Sequence, residues 1–284
     1  MKECTISIKA PEKMLKGAGM PNTSFLPSYI YKFFIELKNT GSETKLCSFS
    51  STLGNGMRYL GNMEHSGPDS KILNNVNAVQ PSVEIGNNNV IVFANNINLS
   101  PHSTNTISFN IALCDKKTAE GEENTGEKIR HKSKLNSHAH LISEDYTESC
   151  SFTSTACDYE LLVQCDNETI KKGETTKFYI HCNAGQYDVA RSVYLRSILD
   201  GGLEFIGDSS NLQPRNVYGF NGKTILKWDV GSLQPSESRR IGYMVRVKED
   251  AELGVLRNKL NSNCINNSEY TQCPVSVEYN LTVE

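Results

Sequence analysis

Long apolar runs are missing from this 284-residue chain. No window approaches the roughly 18 apolar residues that a membrane-spanning helix needs, so no span and no membrane insertion is predicted. The opening stretch, MKECTISIKAPEKMLKGAGM, holds no apolar segment of about seven residues, so no secretory leader is predicted. The end, VSVEYNLTVE, carries no lipidation box. Charge of one sign is missing too. Twenty-nine Lys and Arg stand against 32 Asp and Glu, a net charge of −3, which removes any electrostatic case for nucleic acid.

Catalytic signatures are equally scarce. There is no G-x-S-x-G, no Walker loop and no G-x-G-x-x-G, so the common nucleophile and phosphate cradles are excluded. No D-x-D-x-D-G calcium loop occurs, and no C-x-x-C or zinc spacing. Glu122 and Glu123 lie in a polar stretch, without the burial that separates the pKa values of an acid and a base. His131, His138 and His140 lie close together, but Asn263 and Ile265 stand near the corresponding places of the second half, so these histidines read as solvated surface. The sequence predicts no enzyme, no cofactor and no metal site.

What the chain does hold is strand patterning. Cys4, Ile6, Ile8 and Ala10 alternate with polar neighbours. So do Tyr159, Leu161, Val163 and Cys165; Ile107, Phe109, Ile111 and Leu113; and Ile241, Tyr243, Val245 and Val247. Period-two alternation marks strands with one buried face. Asn-Gly, Gly-Gly and Pro-Ser between them are turn chemistry. Short, evenly spaced strands describe a β-sandwich, here about seven per half. The single tryptophan, Trp228, is expected between the sheets.

The halves also resemble each other. Lys134-Leu135-Asn136-Ser137 is answered by Lys259-Leu260-Asn261-Ser262. Phe34–Gly41 is answered by Phe178–Gly185, Leu53–Asn62 by Leu199–Asp208, and Asn98–Leu113 by Ser232–Val247. The pattern predicts an all-β chain of two tandem sandwich domains, 1–156 and 157–284, with a mobile polar insertion near 115–134.

Nine cysteines are many for a reduced cytosol: Cys4, Cys47, Cys114, Cys150, Cys157, Cys165, Cys182, Cys264 and Cys273. The odd count points to at least one bond between molecules, so all nine are candidate cross-linking residues; nine inert thiols is the other reading. A cross-strand bond between Cys264 and Cys273 is a further candidate, and Cys150 aligns with Cys273. At the C-terminus Val275, Val277, Tyr279, Leu281 and Val283 alternate over a stretch longer than the usual five or six residues. Tyr279–Glu284 matches the stretch that opens domain two. Tyr279, Leu281 and Val283 are therefore candidates for a strand donated to a neighbouring molecule, against the alternative that they close domain two.

Gly173, Asn183, Gly185, Asp200, Gly202, Leu203, Trp228, Gly231, Leu233 and Pro235 resemble the pattern of a bacterial conserved-repeat family, domain of unknown function eleven. Gly201 and Ser236 depart from it. The first half keeps Gly17, Asn39, Gly41, Gly56, Leu99 and Pro101 but has no tryptophan. The resemblance implies immunoglobulin-like sandwiches in bacterial surface or extracellular proteins, with no catalytic residues to carry over. Short two-copy members with cysteines resemble the ribbon proteins of clostridial spore appendages. Such a protein would be released by mother-cell lysis into an oxidising exterior, without a leader. The expectation is a structural subunit on a spore or cell surface. Its partners would be copies of itself, head to tail, and other spore-surface proteins. The alternative is an adhesin binding a glycan or protein through exposed aromatics near Tyr29, Tyr31 or Tyr218.

Overall fold

A computed structural model describes residues 3–17, 30–69, 82–85, 89–145, 147–266 and 272–284. Tyr29 lies outside them. Among the described residues there is no helix, and none that could cross a membrane. The chain divides into two compact units, Met1–Cys157 and Asp158–Glu284, so the division falls one residue beyond the predicted boundary.

Each unit holds ten strands among the described residues. The first has β1 (Cys4–Lys9), β2 (Lys13–Leu15), β3 (Tyr31–Asn39), β4 (Lys45–Thr52), β5 (Met57–Ser66), β6 (Ser82–Ile85), β7 (Val90–Leu99), β8 (Thr104–Leu113), β9 (Lys134–Ser143) and β10 (Thr147–Cys157). The second has β11 (Tyr159–Cys165), β12 (Thr169–Ile170), β13 (Thr175–Ala184), β14 (Ala190–Leu199), β15 (Leu203–Phe205), β16 (Asn216–Phe220), β17 (Lys223–Leu233), β18 (Ser238–Val247), β19 (Gly254–Asn266) and β20 (Val275–Val283). A four-stranded sheet, β1-β3-β8-β5, accompanies a six-stranded one, β2-β10-β9-β4-β7-β6. The second unit repeats this strand for strand as β11-β13-β18-β15 and β12-β20-β19-β14-β17-β16. Pairing is antiparallel except for the short strands β2 on β10 and β12 on β20. This is an immunoglobulin-like sandwich whose second sheet is widened by extra edge strands. About seven strands per half were expected; the excess includes the short edge pieces β2 and β6 in the first unit and β12, β15 and β16 in the second, which carry too few residues to show clear alternation.

Each sandwich has its own core, built from the inward residues of both sheets. In the first unit Phe33, Ile35, Leu37, Phe109 and Ile111 meet Phe49, Val92, Leu99 and Leu141. In the second, Phe178, Ile180 and Tyr243 meet Leu195, Trp228 and Leu260. Trp228 is 1% exposed and donates its Nε1–H to Leu212 O at 2.9 Å, so the ring is buried and its one polar group is satisfied. Burying each such side chain contributes about 1.5–3 kcal/mol.

The duplication is present, but two of the four sequence matches are out of register. Phe34 is not the counterpart of Phe178. Phe33 pairs with Phe109 and Phe178 with Tyr243, and both partners precede Leu113 and Val247 by the same number of residues. Phe33 is fully buried, whereas Phe34 is 38% exposed. A one-residue slip in a strand reverses every face, so the two cannot be equivalent. The KLNS match is displaced by four. Thr52 pairs with His138 and Ile198 with Lys259, which sets Lys259 opposite the place of His138, not of Lys134. An even displacement preserves the inward face, and so the wrong alignment still looked like a strand. The Leu53/Leu199 and Asn98/Ser232 matches coincide with the strand pairing.

The polar insertion does not stand free. Lys117 N–H donates to Glu127 O at 2.9 Å, and Ile129 N–H donates to Asp115 O at 2.7 Å. Ile129 and Thr118 are buried. Lys16 is buried beside it, its Nζ donating to Ile129 O at 2.7 Å and standing 3.5 Å from Asp115. Arg58 pairs with Glu123 at 2.9 Å. The insertion expected to be mobile is thus packed against the first sandwich. An apolar anchor and backbone ladder bonds fix it, and mixed-charge composition conceals both.

Candidate functional site

The features singled out in the sequence separate once they are placed on the sheets. All nine cysteines carry free thiols. Cys4, Cys47, Cys114, Cys157, Cys182, Cys264 and Cys273 are buried; Cys150 and Cys165 are half-buried. A buried sulfur cannot meet one from another molecule without opening its sandwich. The set of nine cross-linking candidates therefore contracts to Cys150 on β10 and Cys165 on β11. Burial pushes both thiols up, with Glu168 and Asp166 adding to the rise at Cys165, so neither is an activated nucleophile. The equivalence of Cys150 and Cys273 also fails. Cys150 pairs with Ala139 and Val277 with Leu260, and these are the matching places.

The terminal strand sits in its own sheet. β20 pairs with β19 along its whole length and with β12 on its other edge. Leu281 and Val283 are buried in the core. Tyr279 is fastened by three contacts. Its hydroxyl lies 2.9 Å from Ser197 Oγ and 3.0 Å from Tyr243 Oη, and its ring meets Phe178 edge-on at 5.0 Å. Tyr279, Leu281 and Val283 thus close domain two, and the donated-strand reading is corrected. One edge is occupied along its whole length by β19 and the other at Thr282 and Val283 by β12, and withdrawal would unseat the core. The match of Tyr279–Glu284 to the opening of domain two was a match of alternation, which any strand with one buried face displays.

An open edge lies elsewhere. β16 has β17 as its one sheet neighbour among the described residues, and all five of its residues are exposed. It is the first half of a hairpin closed by Asn221-Gly222, both at positive φ (49° and 74°), the conformation that Asn-Gly adopts in two-residue turns. Val217 is 49% and Phe220 58% exposed. Tyr218 lies under Lys227 Nζ, 5.2 Å from the ring centre. Of the aromatics named as adhesin candidates, Tyr31 is half-buried and its hydroxyl accepts from Leu15 N–H at 2.7 Å; Tyr218 faces solvent.

Beside β16 a groove of about 440 Å³ crosses the outer face of the six-stranded sheet. Tyr194, Arg196, Arg215, Lys227, Asp229 and Asn263 line it. Tyr194 is half exposed on the outward face of β14, between buried Val193 and Leu195, next to a bulge with Ser192 at a φ of 52° and a shift of pairing between Val193 and Tyr194. Sequence reasoning missed both Tyr194 and the β16 edge. The Asn-Gly pair before β17 was the available signal for the hairpin; the bulge had none.

No family model matches the chain, and no curated protein does. Solved structures do resemble it. Red sea bream transglutaminase is 10% identical over 100% of this chain and 32% of its own, with a TM-score of 0.39. BcpA, the major pilin subunit of Bacillus cereus, is 10% identical over 98% of this chain and 67% of its own, with a TM-score of 0.36. Escherichia coli alpha-2-macroglobulin is 11% identical over 99% of this chain and 22% of its own, with a TM-score of 0.34. The chain spans about a third of the transglutaminase. The fold class stands on the chain's own strands.

Proposed function

We propose that this chain is a non-enzymatic structural subunit that assembles with copies of itself into a bacterial surface fibre, with a spore-surface appendage as the specific case. The observation that carries this is the β16 edge, where Val217 and Phe220 are exposed on a strand whose outer row of backbone donors and acceptors has no strand partner among the described residues. Soluble proteins usually blunt such edges with charge, proline or cover, and an uncovered apolar edge is a template for strand addition. The spore assignment rests on the two-copy, cysteine-bearing form of the family resemblance that Gly173, Asp200, Trp228 and Pro235 carry. Covalent reinforcement between subunits, if used, falls to Cys150 and Cys165.

The test is electron microscopy and sizing of the full-length protein beside a Val217→Lys/Phe220→Lys variant. Assembly that is lost in the variant supports edge pairing. Assembly unchanged in the variant, or a monomer at every concentration, rejects it. Non-reducing electrophoresis of a Cys150→Ser/Cys165→Ser variant decides the covalent part.

A second reading is favoured by the groove. Its exposed Tyr194 ring with Arg196, Arg215 and Lys227 suits an anionic glycan or peptide, which is the adhesin alternative. A glycan array with wild type and Tyr194→Ala separates the two.

A further inference from the structure

We propose that Cys4–Cys47 and Cys264–Cys273 are two intramolecular disulfide sites, closed as the chain folds by exchange with a small-molecule disulfide of the glutathione class. This goes beyond the assembly reading and uses different sulfurs from it.

The first pair bridges the two sheets of its sandwich. Cys4 lies on β1 of the four-stranded sheet and Cys47 on β4 of the six-stranded sheet. Both point into the same core, and their thiols are hydrogen-bonded to each other. The second pair lies across two neighbouring strands. Ser262 pairs with Val275, and Ile265 bridges Gln272, so Cys264 and Cys273 stand directly opposite between them. Cys273 N–H donates to Cys264 O at 2.8 Å, and these two thiols are also hydrogen-bonded. Residues opposite one another in an antiparallel ladder have Cα atoms about 4.5–5.5 Å apart. A disulfide spans about 4.4–6.8 Å, so neither strand has to move.

Two of the three other buried thiols are engaged differently, and the third, Cys114, has no cysteine among the groups that shift it. Cys182 is hydrogen-bonded to the Tyr159 hydroxyl, and Cys157 Sγ lies 3.7 Å from Thr155 O. The Cys4–Cys47 pair is not required for the sandwich to close. Tyr159 and Val193 occupy in the second unit the places that Cys4 and Cys47 hold in the first. The first pair is thus an addition to a fold that closes without it.

The exchange balances with the small disulfide as its electron acceptor and needs no metal. One protein thiolate attacks the small disulfide, forms a mixed disulfide and expels one small thiolate. The second protein thiolate then displaces the other. The two protons lost by the cysteines end on the two small thiols, and the small disulfide is the species reduced. Once the unit is folded, burial raises the Cys47 thiol to about 12, and the Cys264 thiol rises because Cys273 and burial both oppose its charge. Attack therefore belongs to the stage before the sheets close, and the same burial afterwards shields the finished bonds from reductant.

The test is to refold the reduced, denatured full-length protein in a glutathione redox mixture. Remaining thiols are then alkylated under denaturing conditions, and the peptides mapped without reduction. The expected result is a monomer lighter by four hydrogens, with Cys4 linked to Cys47, Cys264 linked to Cys273 and the other five cysteines alkylated. A folded product with nine alkylated cysteines, or with other linkages, overturns the proposal. Cys47→Ala and Cys264→Ala should each delete one linkage and leave the other. A variant in which the orphaned partner pairs just as well with another cysteine also overturns it. If a variant does not fold, the wild-type map decides alone. Higher-order assembly is scored separately on the same sample, so failure here is distinct from failure of the fibre reading.

Discussion

Ser137 and Asn258 do the same work in their two units. Ser137 Oγ accepts from the backbone N–H of Gly54 at 2.9 Å, and Asn258 Oδ1 accepts from that of Asp200 at 2.9 Å. Both side chains are buried, and each satisfies a backbone donor just beyond the strand it touches, β4 in one unit and β14 in the other. A hydroxyl and an amide thus hold one place, and sequence comparison set Ser262 opposite Ser137 instead.

Asn258→Ala should leave the Asp200 N–H buried without an acceptor, at a cost of about 1–3 kcal/mol. The second unit reports on itself, because Trp228 is the chain's only tryptophan. Tryptophan fluorescence in urea should shift its midpoint down for Asn258→Ala. It should stay unchanged for Ser137→Ala, whose loss falls on the first unit.

The register of β3 predicts opposite outcomes for neighbouring phenylalanines. Phe33 stacks on Phe109 with ring centres 5.2 Å apart, whereas Phe34 lies on the outer face. Phe33→Ala should cost about 3–5 kcal/mol by cavity formation. Phe34→Ala should stay within about 0.5 kcal/mol. Circular dichroism melts of the two variants would reverse if Phe34 were the inward residue.

Acid should weaken the first unit in two steps. Burial holds His65 below its usual 6.5, so its contribution is complete above that value and fades as pH falls through it. Asp69 is buried, which opposes its charge, but Ser100 N–H at 3.0 Å, the Ser100 hydroxyl, Ser103 Oγ at 3.2 Å and Asn105 Nδ2 at 2.6 Å all donate to its carboxylate. The donors prevail and hold it below 3.8, so its contribution is complete above that value and is lost on further acidification. Urea midpoints across pH should show both steps. His65→Gln should remove the upper one and Asp69→Asn the lower.

Thiol reactivity follows exposure. In the native reduced protein, iodoacetamide should label Cys150 and Cys165 and spare the seven buried cysteines. Because both reactive thiols titrate above the ordinary 9.0, labelling should be slow near neutrality and quicken with rising pH. Peptide mass mapping of labelled sites checks this.

Gly56 tests the anchored insertion. Its φ is 96°, and a Cβ there would lie 2.2 Å from Ile129 Cδ1. Gly56→Ala should strain the backbone by about 1–3 kcal/mol and dislodge Ile129. Limited trypsin digestion should then cut near Lys116, Lys117 or Lys128 faster than in the wild type.

Alternation alone was enough to read strands, and the paired Leu53/Leu199 and Asn98/Ser232 segments were enough to read a duplicated sandwich and place the division within one residue. The burial of Trp228 followed from its being one large apolar ring in a strand with an inward face. Exact register was not legible, because a period of two accepts every even displacement as equally good, and hydrogen bonds such as that of Asn258 to Asp200 choose among them. Which edge is open was not legible either. Tyr279, Leu281 and Val283 alternate as an exposed donor strand would, and only the pairing with β19 along the whole strand and with β12 at its end seats them in their own sheet, while β16 has a single sheet neighbour among the described residues. The cysteines divide in the same way. Their number is a property of the chain, but which sulfurs face each other depends on two sheets closing over a common core.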